Sequence, residues 1–123
     1  MELLEKIKGY ALHKESKEIA LVGYIGNGKV KLEKLAEGTT KTVWFDCGKI
    51  LARAKELQAQ YIILIHNHPK GKAKPSTQDI KATRRVSIIL TQYGLTLTDH
   101  FIIGTDGRII SMAENGHLKE YFG

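Results

Sequence analysis

The sequence predicts an α/β (α+β) fold: a mixed β-sheet flanked by helices, in a single domain over residues 1–123 with its core at about 16–112. Three observations carry this expectation. The runs 18–25 and 61–65 are apolar, rich in branched residues and of strand length. The segments 46–58 and 76–93 instead repeat apolar residues at helical spacing. No linker long enough to separate domains interrupts them, and 123 residues suits one core, since domains commonly run about 100–150.

Taken in order, residues 2–8 predict a short amphipathic helix with Leu3, Leu4 and Ile7 on one side. Glu18 to Ile25 predicts a buried strand. Gly26-Asn27-Gly28 is a tight-turn signal, and Val30 to Leu35 alternates apolar with charged residues, so a hairpin is expected. After Gly38 and Thr39, Thr40 and Thr42, a helix is expected from Asp46 to Gln58, capped by Asp46, with Ile50, Leu51, Ala54 and Leu57 inward. Tyr61 to Ile65 predicts a mid-sheet strand, and His66 to Lys74 a polar loop broken by Pro69 and Gly71. A second long helix follows from Ser76 or Thr77 to Tyr93, with Val86, Ile89, Leu90 and Tyr93 facing the core and Gly94 ending it. Strands near Leu95–Ile103 and Arg108–Ser111 meet at a Thr105-Asp106-Gly107 turn. The tail NGHLKEYFG is expected to be a short helix or a frayed end.

Composition excludes some classes. The longest purely apolar run, Ile62 to Ile65, falls far short of the roughly 18 residues of a membrane span. The start MELLEKIKGY lacks a signal peptide's apolar centre, and the lone Cys47 permits no intrachain disulfide, so a cytoplasmic location is expected. The net charge is +6, and Lys70, Lys72, Lys74, Lys81, Arg84 and Arg85 cluster near two histidines. Such a cluster can steer a nucleic acid or an acidic protein surface, although composition alone favours a solvated lysine-rich face.

The most informative segment is Ile65-His66-Asn67-His68-Pro69, followed by Pro75-Ser76-Thr77-Gln78-Asp79. In an extended chain, side chains two apart project to one face, so His66 and His68 can converge. A catalytic zinc takes three protein ligands and leaves a fourth position for water. Asp79, on the first turn of the next helix, can supply the third, and this nitrogen–oxygen set suits zinc as well as other divalent metals. The same serine and aspartate, read alone, are a helix cap.

The spacing His66-Asn67-His68, seven residues, Ser76, two residues, Asp79 resembles the JAMM (MPN+) metalloprotease motif. The His-Asn-His-Pro form, Pro75-Ser76 and Asp99-His100-Phe101-Ile102-Ile103-Gly104 resemble its RadC branch, over about Glu18 to Ser111. The resemblance implies a JAB/MPN (cytidine-deaminase-like) architecture and a zinc hydrolase acting on a protein or peptide. It implies zinc on His66, His68 and Asp79, an oxyanion donor in Ser76, and a general base in Glu18, with Glu15 a nearby rival. The sequence departs from the family's Pro-Arg-Glu-like start to the first large helix, reading Cys47-Gly48-Lys49, and nothing the size of the family's usual N-terminal helical region is expected in the residues before Glu18.

Two other functions are compatible with parts of the sequence. One is a metal-dependent nuclease or DNA-binding repair factor, argued from Lys70, Lys72, Lys74, Arg84 and Arg85. The letters His-Asn-His do not support it, because HNH nucleases disperse those residues over a longer segment. The other is a non-catalytic interaction module on the same fold, which the complete ligand set disfavours. Of the remaining residues, His100 reads as a core or strand-edge histidine that can also reach the site, and His13 and His117 as solvated. Trp44, Tyr61 and Phe101 read as core, and Cys47 as inert.

Overall fold

Asn27 and Gly28 both take positive φ, 51° and 74°, the pairing that lets a two-residue turn match the twist of flanking strands. They join β1 (Ile19–Gly26) to β2 (Lys29–Glu37) as the expected hairpin. The computed structural model describes residues 2–38 and 45–116. The expectations for Trp44, for the threonines after Gly38 and for the tail from His117 onward lie outside the described residues.

The remaining elements are α1 (Glu2–Gly9), a 3-10 turn at Leu12–Lys14, α2 (Cys47–Leu57), β3 (Tyr61–Asn67), α3 (Thr77–Gln92), β4 (Thr96–Ile103) and β5 (Ile109–Ser111). The five strands form one mixed sheet in the order β2-β1-β3-β4-β5. Among the described residues only β3 and β4 run parallel, and α3 makes the crossover that parallel neighbours require.

Both faces of the sheet are covered. On one, Val22, Tyr24, Ile62, Leu64 and Leu97 pack under α2 and α3 through Ile50, Ala54, Val86 and Leu90. On the other, Leu21, Ile63, Ile65 and Ile103 meet Ile7 of α1 and Leu12 of the 3-10 turn. Ile62, Leu64 and Leu90 have no exposed surface, and truncating any of them to alanine costs about 2–5 kcal/mol. This two-sided burial explains why β1 and β3 read as continuous apolar runs rather than alternating ones.

A β-bulge changes which side β4 presents. Ile62 pairs with Leu97, whereas Ile63 pairs with Asp99, leaving Thr98 as the extra residue. Leu97 faces α2 and α3, and so do His100 and Ile102 beyond the bulge. Phe101 and Ile103 point to the opposite face.

The structure corrects some local expectations. β3 runs on through His66 and Asn67, so His66 belongs to the sheet and not to the loop. Glu18 immediately precedes β1 rather than opening it. Tyr61 is 44% exposed at the start of β3, and Tyr93, the C-cap of α3, is 67% exposed, so neither is core. Leu4 also lies outward, unlike Ile7 on the same helix.

Candidate metal centre

Alternation along β3 aims Ile62, Leu64 and His66 at the α2/α3 side and Asn67 at the other. Ala20 pairs with His66 in the antiparallel β1–β3 register, and continuing that register by two positions sets Glu18 opposite His68. Sheet geometry alone therefore gathers Glu18, His66 and His68 at one end of the sheet.

Asp79 arrives from α3. Ser76 is the N-cap, its Oγ accepting from the Asp79 N–H at 3.0 Å, while Asp79 Oδ2 accepts from the Ser76 N–H at 2.8 Å. This capping box starts the helix, and its second member also reaches the histidines. Asp79 Oδ1 lies 3.2 Å from His66 Nε2, and Oδ2 lies 3.0 Å from His68 Nε2. Cap and histidine partner are thus one residue.

The loop between β3 and α3 is pinned to the end of β4. His68 N–H donates to the Ile103 carbonyl and Thr105 N–H to that of Gly71. Gly104 permits this closeness, because a Cβ there would sit 2.7 Å from Ala73 N. The loop in turn orients His68, whose Nδ1 is 2.9 Å from the Lys72 carbonyl. A carbonyl only accepts, so Nδ1 carries the proton and Nε2 turns toward Asp79.

His66, His68 and Asp79 offer ligand atoms that all lie within 4.8 Å of one another. His66 is buried, whereas the side chains of His68 and Asp79 retain 19% and 16% exposure, so the cluster opens to solvent on one side. Burial pushes the Asp79 carboxyl up, but the neighbouring His66 and His68 outweigh it and hold the group far below the usual range. The bond to Asp79 raises the His68 value against the opposing effect of burial. Glu18 is raised by burial, with His66 and His68 pulling the other way. Its Oε2 is the one buried side-chain N or O atom without a hydrogen-bond partner among the described residues. An orphaned carboxylate oxygen beside two imidazoles and an aspartate fits a site that holds a cation and its water.

Three residues matter more here than their sequence context suggested. Asn67 has no exposed surface and makes three hydrogen bonds: Oδ1 accepts from Ile19 N–H, and Nδ2 donates to the Leu12 and Lys17 carbonyls. His100 is buried, with Nε2 2.7 Å from His66 Nδ1 and Nδ1 2.6 Å from Thr83 Oγ1. Thr83 lies one helical turn after Asp79, and that i, i+4 spacing was the available sequence signal. Phe45 adds an edge-on wall, its ring centroid 5.4 Å from that of His100 and 6.3 Å from that of His66. Lys70, Lys72, Lys74, Lys81, Arg84 and Arg85 are exposed on the loop and on α3.

A family model described as a RadC-like JAB domain matches residues 5–117. The chain belongs to the RadC-like JAB domain family. RadC-like relatives carry the name UPF0758 protein. One from Porphyromonas gingivalis is 42% identical over 93 residues, covering 75% of this chain and 41% of the relative. One from Photobacterium profundum is 42% identical over 86 residues, covering 70% and 38%. One from Acidithiobacillus ferrooxidans is 36% identical over 107 residues, covering 85% and 47%. The chain thus spans less than half the length of the RadC-like relatives it matches. The five-stranded mixed sheet with its flanking helices is the expected JAB architecture. Among the described residues, no helix is long and apolar enough to cross a membrane.

Proposed function

We propose that the chain is a zinc-dependent hydrolase of the JAMM type that cleaves a peptide or isopeptide bond, with His66, His68 and Asp79 holding the metal. One observation carries this reading. His68 donates through Nδ1 to the Lys72 carbonyl, which leaves the Nε2 lone pair of neutral His68 only 3.0 Å from a carboxylate oxygen. Two acceptors at that distance repel unless a cation lies between them, either the proton that Asp79 helps His68 to retain or a metal ion that displaces that proton. Zinc bound there supplies a Lewis acid and lowers the pKa of its water toward about 7.

The chain's own groups support the rest. Glu18 faces the histidines with an unpartnered oxygen and a raised pKa, which suits a base that accepts a proton and passes it to the leaving amine. Ser76 Oγ accepts from the Asp79 N–H, so its hydroxyl proton stays available for a developing oxyanion. Its exposure lets a substrate carbonyl reach it. Such a contact is typically worth about 3 kcal/mol in the transition state. Residues 1–123 would form one domain working in the cytoplasm on a protein or peptide.

The test is metal content per chain by mass spectrometry, on wild type beside His68→Ala and Asp79→Ala, all purified without chelator or histidine tag. Near-stoichiometric zinc that both variants lose is expected. Well-folded wild type that takes up no supplied zinc would sink the reading. Glu18→Gln should then keep zinc and lose peptide hydrolysis. A second reading rests on the exposed Lys70, Lys72, Lys74, Arg84 and Arg85 around the site, which suit a nucleic acid or an acidic protein surface. DNA affinity that falls steeply with salt supports it, and no binding at low salt discards it.

A further inference from the structure

The Thr83 hydroxyl has one proton and two close neighbours, with the weakly accepting Met112 sulfur farther off at 3.7 Å. The Asp79 carbonyl, 2.6 Å away, can only accept, so the proton lies on that line. Thr83 Oγ1 then presents lone pairs to His100 Nδ1 at 2.6 Å, and that nitrogen must carry hydrogen. His100 is 1% exposed and among the described residues bonds to no carboxylate, so a second ring proton would be a buried charge without a counter-ion, and Nε2 is bare. His66 Nδ1, 2.7 Å from that bare nitrogen, is therefore the donor. What remains on His66 is an Nε2 lone pair 3.2 Å from Asp79 Oδ1. The circuit begins at the main chain of Asp79 and ends at its side chain.

We propose that Thr83 and His100 are positioning residues whose ordered hydrogen bonds hold His66 as its Nδ1–H tautomer and aim bare Nε2 at the metal position. A hydroxyl bonding back to the carbonyl four residues earlier is common in helices and by itself signifies little. Here the same oxygen also accepts from a buried imidazole that continues to His66. The bulge at Thr98 brings His100 to this side of the sheet, beside Leu64 and one step from His66. His66 and His68 thereby reach the same tautomer by different means, one through a buried side-chain relay and the other through a loop carbonyl. The inference rests on the metal reading for its purpose, while its geometry is independent of that reading.

Long-range proton–nitrogen correlation on metal-free, 15N-labelled protein above neutral pH reads ring protonation directly. Wild type is expected to show His66 and His100 both protonated at Nδ1 and bare at Nε2. Thr83→Val, nearly isosteric, should mix the His66 tautomers and weaken cobalt(II) binding by roughly 10–100-fold, and Thr83→Ser should restore both. A wild-type His66 protonated at Nε2, or a doubly protonated His100, overturns the proposal without any variant. So does a folded Thr83→Val with unchanged tautomers and cobalt affinity. If wild type has the expected tautomers but takes up neither cobalt nor zinc, the relay stands and the metal reading falls.

Discussion

Asn67 grips the backbone on both sides of Glu18: it accepts from the Ile19 N–H at 2.6 Å and donates to the Lys17 carbonyl at 2.9 Å. The middle residue of the His-Asn-His tripeptide thus ties the candidate base to the strand that carries His66. Asn67→Ala leaves a buried N–H and two carbonyls without these partners, at a cost of about 1–3 kcal/mol for each group that stays dry. The expected result is a lower unfolding midpoint in denaturant and faster hydrogen exchange at the Ile19 amide. Zinc content should remain close to one per chain. An unaltered Ile19 exchange rate in Asn67→Ala would show that other contacts hold the Glu18 backbone.

Asp79 has two duties that substitution can separate. Asparagine retains an oxygen that can accept from the Ser76 N–H, whereas alanine does not. Asp79→Asn should lose the metal yet remain within about 1 kcal/mol of the metal-free wild type, and Asp79→Ala should lose the metal and a further 0.5–2 kcal/mol or so of capping. Metal analysis paired with chemical denaturation of the zinc-free proteins checks both halves. Equal stability of the two variants would mean that a side-chain oxygen at position 79 adds nothing to the helix start.

Gly104, just past the end of β4, lies against the loop at Lys72 and Ala73. The Cβ of Gly104→Ala would lie 2.7 Å from Ala73 N and 3.2 Å from the Lys72 carbonyl carbon, neither of them a flexible side-chain end. The loop must move, and the Lys72 carbonyl that orients His68 moves with it. A destabilisation of about 1–3 kcal/mol is expected, typical of overpacking, together with weaker cobalt binding. Calorimetric titration with cobalt(II) separates the two effects. Unchanged affinity would remove the loop from the control of His68.

Zinc and protons compete for His68, and the stability that each confers varies with pH in the opposite direction. The folded pKa of His68 is raised above its ordinary 6.5, so its pairing with Asp79 stabilises the metal-free protein below that value and is lost as pH rises through the folded pKa. Asp79 is depressed from 3.8, so its contribution is present above 3.8 and is lost as pH falls through the folded value. Metal uptake needs bare Nε2 and releases a proton. The rise in unfolding temperature produced by zinc should therefore grow with pH across the histidine range. Scans with and without zinc from about pH 5 to about pH 9 test this. A zinc effect that does not vary with pH would mean that His68 stays neutral throughout.

What could be read from the chain was mostly what is local. The hairpin at Asn27-Gly28, the Ser76 cap and the gathering of two histidines at a strand end follow from neighbours within a few residues. The role of Asn67 did not, because its partners Leu12, Lys17 and Ile19 are 48 to 55 residues away. His100 could be read as buried, but its hydrogen bonds to His66 and Thr83 depend on how β3, β4 and α3 pack. Tyr61 and Tyr93 misled for a related reason. Both fit an apolar pattern, yet they lie at the end of β3 and past the last turn of α3, beyond the layer that would bury them.

The extra residue in β4 acts as a phase slip in a two-letter code. Before Thr98, odd-numbered Leu97 belongs under the long helices; after it, the even-numbered His100 and Ile102 do. Were the strand to run regularly through Thr98, with no bulge, the parity of every later position would reverse, sending Asp99 and Phe101 toward α3 and His100 toward α1. Keeping Thr98 outside the ladder is therefore as strict a requirement as the identity of any side chain in the cluster, and an added residue that paired there would break it. Length variation among related chains should fall instead in the turns at Asn27-Gly28 and Thr105–Gly107, where adding a residue leaves that parity intact.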